Sequence, residues 1–190
     1  MTATRRGDWI QTFSGGQFWP LDPRPSEIFL LDIAAGLAKE CRYGGQCLRF
    51  YTVAEHSCLM DREAKRLGYS VRERRAVLFH DASEGMGLRD IPRPIKGELT
   101  NYREIEDRIM RTVAKRFDFD WPMPKHLKLL DEQIGLTEES QNMADKPAAW
   151  RTQQHKFEAT QGIATRLECW LPDRAFVEFM HAASQLGIIA

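Results

Sequence analysis

The sequence carries no excess charge of either sign, because 27 lysines and arginines balance 27 aspartates and glutamates. A protein without an excess of positive charge has no overall electrostatic field that would attract nucleic acid or an anionic membrane, and we expect neither as a partner. No apolar stretch is long enough to span a bilayer, and the polar first residues lead into no apolar run. These absences predict a cytoplasmic protein.

Cysteine is also scarce, and none of the cysteines forms a Cys-x-x-Cys pair. The lack of paired spacing argues against a structural zinc site built from thiolates. We expect all of them to be reduced and to fill space. The four residues are Cys41, Cys47, Cys58 and Cys169.

Internal repeats, low-complexity tracts and evident linkers are absent too, which predicts a single domain over residues 1–190. A chain of this length can bury a hydrophobic core large enough for a stable fold without disulfide bonds or a structural metal ion. Residues 1–31 mix aromatics with glycine and proline and predict an irregular cover segment with at most one short hairpin. Residues 142–161 are poorly periodic and are expected to be loop-rich, with a break at Pro147.

Apolar residues recur at helical spacing through most of the remaining sequence, which predicts an all-α fold. Capping boxes at Thr52 and Ser70 predict two helices, the first ending near Leu67. Asp32 is the expected cap of an earlier helix over residues 33–40. Further helices are predicted after Thr100, over residues 127–138 and after Pro172.

A histidine, an aspartate and a glutamate interrupt the helical segment that follows Ser70. On a helix, His80 and Glu84 lie one turn apart on one face, and Asp81 is rotated by about 100°, so the three side chains can point toward one pocket. This grouping is typical of two metal ligands beside a proton-transfer residue. A His-Asp pair also occurs by chance on solvated faces, so the interpretation requires more ligands.

Two further candidate ligands are His56, in the first turns of the helix capped at Thr52, and Asp131. Asp131 shares one helical face with Leu130 and Ile134, so a carboxylate lies in an apolar stripe. An isolated buried carboxylate is costly unless it is paired or bound to a metal. The alternative is an aspartate at the edge of the stripe that bonds a backbone group, and this helix alone favours neither.

Several other charged residues lack a functional pattern of their own. Arg42 follows the first predicted helix, where an arginine is by default a solvated end that complements the helix dipole. Arg103 is assigned to the outward face of the helix after Thr100. Three histidines without partners in any pattern are expected at the surface or at an interface: His126, His155 and His181.

Taken together, His56, the His80-Asp81 doublet and Asp131 resemble the ligand set of the HD-domain phosphohydrolases. The blocks at residues 52–57, 80–84 and 90–96 are similar to the S-V-A-E-H-S, H-D-A-S/T-E and G-D-I-P-x-P-x-K motifs of the short, single-domain branch. The segments at residues 10–15 and 41–45 resemble those of phage and prophage members. The likeness covers most of the chain up to about residue 143. That branch includes bacterial 5'-deoxynucleotidases and phage dATP triphosphohydrolases.

The resemblance implies an HD-domain helical bundle with a metal site between its helices. Two imidazoles and two carboxylates suit one divalent transition metal, namely Mn²⁺, Co²⁺, Fe²⁺, Ni²⁺ or Zn²⁺. Mg²⁺ can accompany a triphosphate substrate. The implied ligands are His56, His80, Asp81 and Asp131.

The resemblance also implies catalytic roles for three residues. Glu84 is expected to transfer protons, because it lies near the ligands without being one of them. Arg42 and Lys96 are expected to bind the phosphates and to neutralise their charge.

Substrate binding is the role implied for three more residues. Tyr43 would flank the sugar or the base, and Asp90 would bond the deoxyribose hydroxyl. Pro94 would line the same site. The loop before Asp90 is one residue longer than the family block, and Arg89 stands where that block has glycine.

The function implied is a metal-dependent hydrolase of deoxynucleotides, which are small-molecule substrates. The phage-like opening segment favours a dNTP triphosphohydrolase of dATP type, which releases deoxynucleoside and triphosphate, over a 5'-deoxynucleotidase that acts on dNMPs. A non-enzymatic alternative is a regulatory protein that binds nucleotides, although Glu84 argues against it. We also expect a homo-oligomer, located in the host cytoplasm if a phage encodes it.

Overall fold

The structure is a computed structural model that describes residues 4–146, 148 and 161–189. Short 3₁₀ turns at Pro25–Glu27 and Arg42–Gly45 and a wide helical turn at Glu84–Leu88 connect its main elements. The described chain is mostly helical, in agreement with the all-α prediction. In chain order the elements are β1 (Ile10–Gln11), β2 (Gln17–Phe18), α1 (Leu30–Lys39), α2 (Val53–Arg66), α3 (Val71–Leu78), α4 (Arg93–Lys96), α5 (Tyr102–Phe117), α6 (Lys125–Asn142) and α7 (Pro172–Gln185).

The segment before α1 is irregular apart from one hairpin, as predicted. Strands β1 and β2 pair antiparallel, with Ile10 opposite Phe18. Phe18 is fully buried and packs into the core. The Arg5 guanidinium donates to the Asp22 carboxylate at 2.6 Å and to the Glu27 carboxylate at 2.5 Å, so this cover segment is tied together by charge.

Helix α2 lies at the centre of the fold, in contact with α1, α3, α6 and α7. Every residue from 51 to 61 is buried, so this part of the helix is enclosed on all sides. Its polar side chains, Glu55, His56 and Asp61, therefore need partners inside the protein. The Glu55 carboxylate accepts hydrogen bonds from the backbone N–H groups of residues 168–170, which fastens the segment that leads into α7.

An aromatic cluster lies beneath the predicted ligands. Phe79 is fully buried and stacks on Phe117, with 4.6 Å between the ring centroids. It also meets the edge of Phe179 at 5.6 Å. Phe79 directly precedes His80, so α5 and α7 fix the start of the turn that carries this histidine.

Helix α1 approaches the Glu84–Leu88 turn so closely that the two backbones touch. A methyl carbon added at Gly36 would lie 1.9 Å from the carbonyl oxygen of Gly85. One added at Gly85 would lie 2.8 Å from the carbonyl oxygen of Ile33. Neither distance is tolerable for a carbon atom against a backbone oxygen, so both positions require glycine.

The structure corrects two predicted helix starts. Helix α1 begins at Leu30, and Asp32 lies inside its first turn, where the carboxylate accepts bonds from the N–H and hydroxyl groups of Ser14. That partner comes from the hairpin, so a capping rule based on neighbouring residues misplaces Asp32. Thr100 does not cap α5 either, because Asn101 takes the cap position with a φ of 64°.

Other boundaries are confirmed. The hydroxyls of Thr52 and Ser70 accept the capping bonds of α2 and α3. Helix α6 continues four residues past Glu138 to Asn142. Pro147, His155 and most of the segment expected to be loop-rich lie outside the described residues. Among the helices that the structure describes, none has the length and apolar composition needed to cross a bilayer.

Candidate metal centre

Side chains from three parts of the fold converge beside the buried face of α2. The Nε2 atoms of His56 and His80 are 3.2 Å apart, and Oδ1 of Asp131 lies 3.2 Å from His56 Nε2 and 3.9 Å from His80 Nε2. Both histidines are buried, and Asp131 is half-buried. Two imidazole nitrogens and a carboxylate oxygen at this spacing form a group that could hold a metal ion.

Each histidine is fixed by a second partner at its other ring nitrogen. His56 Nδ1 lies 2.6 Å from a carboxylate oxygen of Glu138, and His80 Nδ1 lies 2.8 Å from the carbonyl oxygen of Val77. Both partners are acceptors, so Nδ1 carries the proton on each ring. The Nε2 atoms therefore face the cluster and can bind a metal ion once they are deprotonated, which is the arrangement found around metal-bound histidines.

The helical spacing predicted for His80 and Glu84 is wrong in detail. Helix α3 ends at Leu78, and His80 and Asp81 lie in the turn that follows it. The N–H of Glu84 bonds the carbonyl oxygen of Asp81 at 2.9 Å, so the chain turns more tightly than an α-helix. This turn still directs His80 and Asp81 toward the same cluster.

Asp81 lies at the edge of this cluster. Its Oδ2 is 3.1 Å from His80 Nε2 and 4.0 Å from His56 Nε2. Arg42 Nη1 approaches the same oxygen at 3.6 Å. Burial opposes ionisation of Asp81, but the neighbouring histidines and Arg42 outweigh it and hold its pKa well below the usual range.

The other charges in the cluster complement one another. Burial opposes ionisation of Asp131, but its bond to His56 and the charge of His80 lower its pKa to about 2. Burial and Arg42 oppose protonation of His56, but Glu138 and Asp131 outweigh them and raise its pKa to about 9. The site therefore places ionised carboxylates next to His56, whose imidazole favours positive charge, and the same carboxylates would attract a metal cation.

Glu138 is a central residue that the sequence prediction missed. It is fully buried on α6 and its oxygens accept four hydrogen bonds, from His56, Arg42, Tyr43 and Tyr51. Burial opposes its ionisation, but Arg42 and His56 lower its pKa to about 2. A signal was present in the sequence, because Glu138 lies seven residues after Asp131 and so on the same helical face.

Arg42 and Tyr43 are part of this network and not a solvated helix end. Arg42 Nε donates to Glu138 at 3.0 Å, and its guanidinium lies over the Tyr43 ring at 5.2 Å. The Tyr43 hydroxyl donates to the same Glu138 oxygen at 2.5 Å. The hydroxyl hydrogen of Tyr43 is therefore already used within the protein.

Glu84 differs from Glu138 in having an unsatisfied oxygen. The residue is buried, and its Oε2 has no hydrogen-bond partner among the described residues. Burial and the charges of Asp81 and Asp90 raise the pKa of Glu84 well above its usual value, against the opposing effect of Arg42 and Lys96. A raised pKa favours the protonated form of this carboxyl group, which is the form that can donate a proton.

Asp90 makes a protein contact where a sugar contact was expected. Its Oδ2 accepts the backbone N–H of Tyr43 at 2.7 Å, which links its loop to the Arg42–Gly45 turn. Arg89 adopts a φ of 68°, a region that glycine favours, so its position explains why the resembling motif has glycine there. Glu40 bonds both Arg89 and the N–H of Asp90 and holds this loop in place.

A cavity of about 390 Å³ opens beside Asp131 and is lined by several cations. Lys96 is among them, although its Nζ is also 2.6 Å from the Glu106 carboxylate. Arg103, which was predicted to face outward only, lines this cavity as well. Pro94 is exposed in α4. The full lining is Arg93, Lys96, Arg103, Met123, Lys128, Asp131 and Glu132.

The predicted surface histidines that the structure describes lie away from the cluster. His126 contacts Glu73 at 2.9 Å and the edge of the Tyr69 ring. His181 contacts Gln185 on α7. Both contacts are local to the protein surface, as expected.

Comparison with known proteins finds relatives whose functions are not described. No family model matches the chain. An uncharacterized protein of Rhodobacter capsulatus is 38% identical over 125 residues, which cover 63% of this chain and 63% of that relative. The uncharacterized protein YfdR of Escherichia coli is 29% identical over 143 residues, which cover 75% of this chain and 76% of that relative. The chain thus spans less than two thirds of the length of the first relative.

Proposed function

We propose that the chain is an HD-domain phosphohydrolase that cleaves deoxynucleoside triphosphates of dATP type into deoxynucleoside and triphosphate. The observation that carries the proposal is a juxtaposition: a buried Glu84 with an unbonded carboxyl oxygen, a group that could hold a metal ion, and a cation-lined cavity that opens at Asp131. A nucleotide phosphate chain is the ligand class that matches these three features together.

The proposed metal ligands are His56, His80, Asp81 and Asp131. The donor set fits a divalent transition metal, because two Nε2 atoms with fixed Nδ1 protons and two ionised carboxylates face one another. Such a cation would polarise a phosphoryl oxygen and make water a better nucleophile at neutral pH.

Glu84 is assigned the proton transfer. Burial and the neighbouring carboxylates raise its pKa, which favours the protonated form in the free protein. A positive charge at the neighbouring ligands would lower that pKa and make it easier for the group to release its proton. In this proposal Glu84 gives its proton to the deoxyribose 5' oxygen as the bond between that oxygen and the α-phosphorus breaks.

The positively charged side chains are expected to bind the phosphate chain of the substrate. Arg42 lies 3.6 Å from Asp81, at the metal-ligand side, and Lys96 lines the cavity next to Asp131. A chain of three phosphates extending from the ligands into the cavity would meet Lys96 and then Arg103 or Lys128. Charge-assisted contacts of this kind contribute about 1.5–3 kcal/mol each.

A 5'-deoxynucleotidase is the second candidate, and one observation favours it. Arg42 bonds Glu138 and Lys96 bonds Glu106, so both cations are already partly neutralised by protein carboxylates. Partial neutralisation suits a substrate with fewer negative charges, such as a dNMP.

The deciding experiment is a substrate panel. Protein loaded with Mn²⁺ or Co²⁺ is incubated with each dNTP, NTP and dNMP, and products are separated by ion-exchange chromatography. Release of deoxynucleoside with intact triphosphate supports the proposal, whereas release of phosphate from dNMPs alone supports the second candidate. Asp131→Ala serves as the control, because it removes a proposed ligand and should lose both metal content and turnover. No hydrolysis by the loaded protein, or equal metal content in the two proteins, would refute the proposal.

A further inference from the structure

Two cysteine thiols that are distant from any paired motif lie in contact. The Sγ atoms of Cys41 and Cys47 are 3.7 Å apart, and both residues are half-buried free cysteines. They stand at the two ends of the Arg42–Gly45 turn. No other pair of sulfur atoms is in contact within the described part of the chain, which includes all four cysteines.

The ends of this segment are anchored, and so are Arg42 and Tyr43 through Glu138 and Asp90, which leaves the two glycines as its exposed part. Cys41 pairs with Thr52 in an antiparallel bridge, and the N–H group that follows Cys47 bonds the carbonyl oxygen of Asn142 at 2.8 Å. Between them, Gly44 and Gly45 are exposed and adopt φ values of 59° and 78°. Glycine tolerates a wide range of backbone angles, so the turn can adjust while the cysteines stay adjacent.

We propose that Cys41 and Cys47 form an oxidation site, at which hydrogen peroxide converts the two thiols into an intramolecular disulfide. The sulfur of Cys41 attacks the peroxide, so that an S–O bond forms, the O–O bond breaks and water leaves. The sulfur of Cys47 then attacks the Cys41 sulfur, and its proton leaves with the oxygen as a second water. The thiols together lose two electrons and two protons, and the peroxide is reduced to water.

The order of the two steps follows from the surroundings of Cys47. Burial and the contact with Cys41 raise the pKa of the Cys47 thiol to about 11, which makes it a poor first nucleophile in solution. The second step needs no encounter in solution, because the two sulfur atoms already touch. Cys47 is therefore the resolving thiol.

The disulfide changes the turn that carries Arg42. In the reduced protein the Cys47 thiol donates to the carbonyl oxygen of Arg42 at 3.9 Å. A disulfide sulfur has no hydrogen, so this bond is lost, and the sulfurs must also move closer together. The effect on Arg42 bears on turnover, and that link rests on the proposed function.

Peptide mapping tests the site without any assay of activity. Trypsin cleaves after Lys39, Arg42 and Arg49, so Cys41 and Cys47 fall on separate peptides, 40–42 and 43–49. After treatment with hydrogen peroxide and alkylation of the remaining thiols, we expect the two peptides joined, lighter by two hydrogen atoms than their sum, and separated again by dithiothreitol.

Cysteine variants provide the matched controls. Cys58→Ser and Cys169→Ser should still give the joined peptide, while Cys41→Ser and Cys47→Ser should not. Two fully alkylated peptides after oxidation, or a bond from either residue to Cys169, would overturn the site. These results do not depend on whether the protein hydrolyses nucleotides.

The link to Arg42 has its own readout. If the reduced protein hydrolyses dNTPs, oxidation should lower turnover, dithiothreitol should restore it, and Cys41→Ser should be insensitive to peroxide. A joined peptide with unchanged turnover would refute the effect of the disulfide on turnover, although the disulfide itself would be confirmed. Absence of hydrolysis by the reduced protein would refute the proposed function instead, and peptide mapping would still decide the oxidation site.

Discussion

Helix α2 carries two buried groups of charged side chains, and they differ in whether their contacts are complete. In its second half, Asp61 receives two parallel bonds of 2.8 Å from the Arg74 guanidinium on α3. In its first half, His56 directs Nε2 toward the other candidate ligand atoms, and nearby Glu84 keeps an unbonded oxygen. The first group is an ion pair between helices, whereas the second leaves ligand atoms available. Two groups that are both buried on one helix therefore differ in whether the hydrogen bonding of their side chains is complete.

The largest expected effect comes from breaking the complete pair. Arg74→Ala leaves the Asp61 carboxylate buried without its partner, and we expect a loss of about 3–5 kcal/mol in the free energy of unfolding. Urea denaturation measures it. Arg72→Ala on the same helix is the control, because Arg72 is exposed and its ion pairs with Asp118 and Asp120 are expected to contribute less than about 1 kcal/mol. Equal losses of unfolding free energy in the two variants would show that the buried pair matters no more than the exposed one.

The next effect concerns the unbonded carboxyl group. Glu84→Gln should keep the fold and the metal but lower kcat by about 10²-fold or more, because an amide cannot transfer the proton. Elemental analysis and kcat measured side by side check this. Parental turnover in Glu84→Gln would move the role to another residue, such as Asp90.

A smaller effect tests the cation-lined cavity. Lys96→Ala should lower kcat/KM for dNTPs by about 10- to 100-fold and change the value for a dNMP much less, because only the longer chain reaches Lys96. Arg111→Ala is the matched control, since Arg111 is an exposed cation of α5 that pairs with Asp107. Equal losses on both substrates would favour the 5'-deoxynucleotidase.

The smallest effect is the pH dependence of metal binding. A cation must displace the proton of His56, whose pKa is about 9, so metal affinity should rise about tenfold per pH unit and level off near pH 9. The free energy of unfolding of the metal-free protein should change in the opposite direction and fall as pH rises. The stability contributed by protonated His56 is complete below its unfolded pKa of about 6.5 and is lost as pH rises through 9. Titration calorimetry at several pH values measures the affinity.

Glu138→Gln sharpens this pH prediction. Removing the Glu138 charge lowers the pKa of His56, so metal affinity should level off at a lower pH than in the parent. The amide also holds the His56 ring less firmly, which should weaken binding by about 10- to 100-fold above that pH. An unchanged profile would mean that Glu138 does not set the charge of His56.

The candidate ligands could be named from the sequence because one of them breaks an apolar stripe and the others lie in blocks that resemble family motifs. Asp131 interrupts an apolar stripe, and His80 and Asp81 form a doublet that matches a motif. The contacts of Glu138 could not be named, because its partners come from residues 42, 43, 51 and 56, and only folding brings them together. Asp32 was misassigned for the same reason, since its partner Ser14 is distant in sequence.

The turn at His80 was mispredicted for a different physical reason. The residues from 71 to 84 have no proline and fit a continuous helix, and the capping box at Ser70 was correct. Packing of Phe79 between Phe117 and Phe179, and the tight turn that follows, are tertiary effects that override helix propensity. Cys41 and Cys47 were assigned to space filling because no spacing rule pairs cysteines across a glycine turn.

The contact between Gly36 and Gly85 sets the distance from α1 to the residue after Glu84. With no side chain between the two backbones, the depth at which Glu84 sits is fixed by a main-chain contact and not by a rotamer. An alanine at position 36 would displace the turn as a whole and with it the carboxyl group of Glu84. A residue that touches none of the candidate ligands therefore governs how deep that carboxyl group lies.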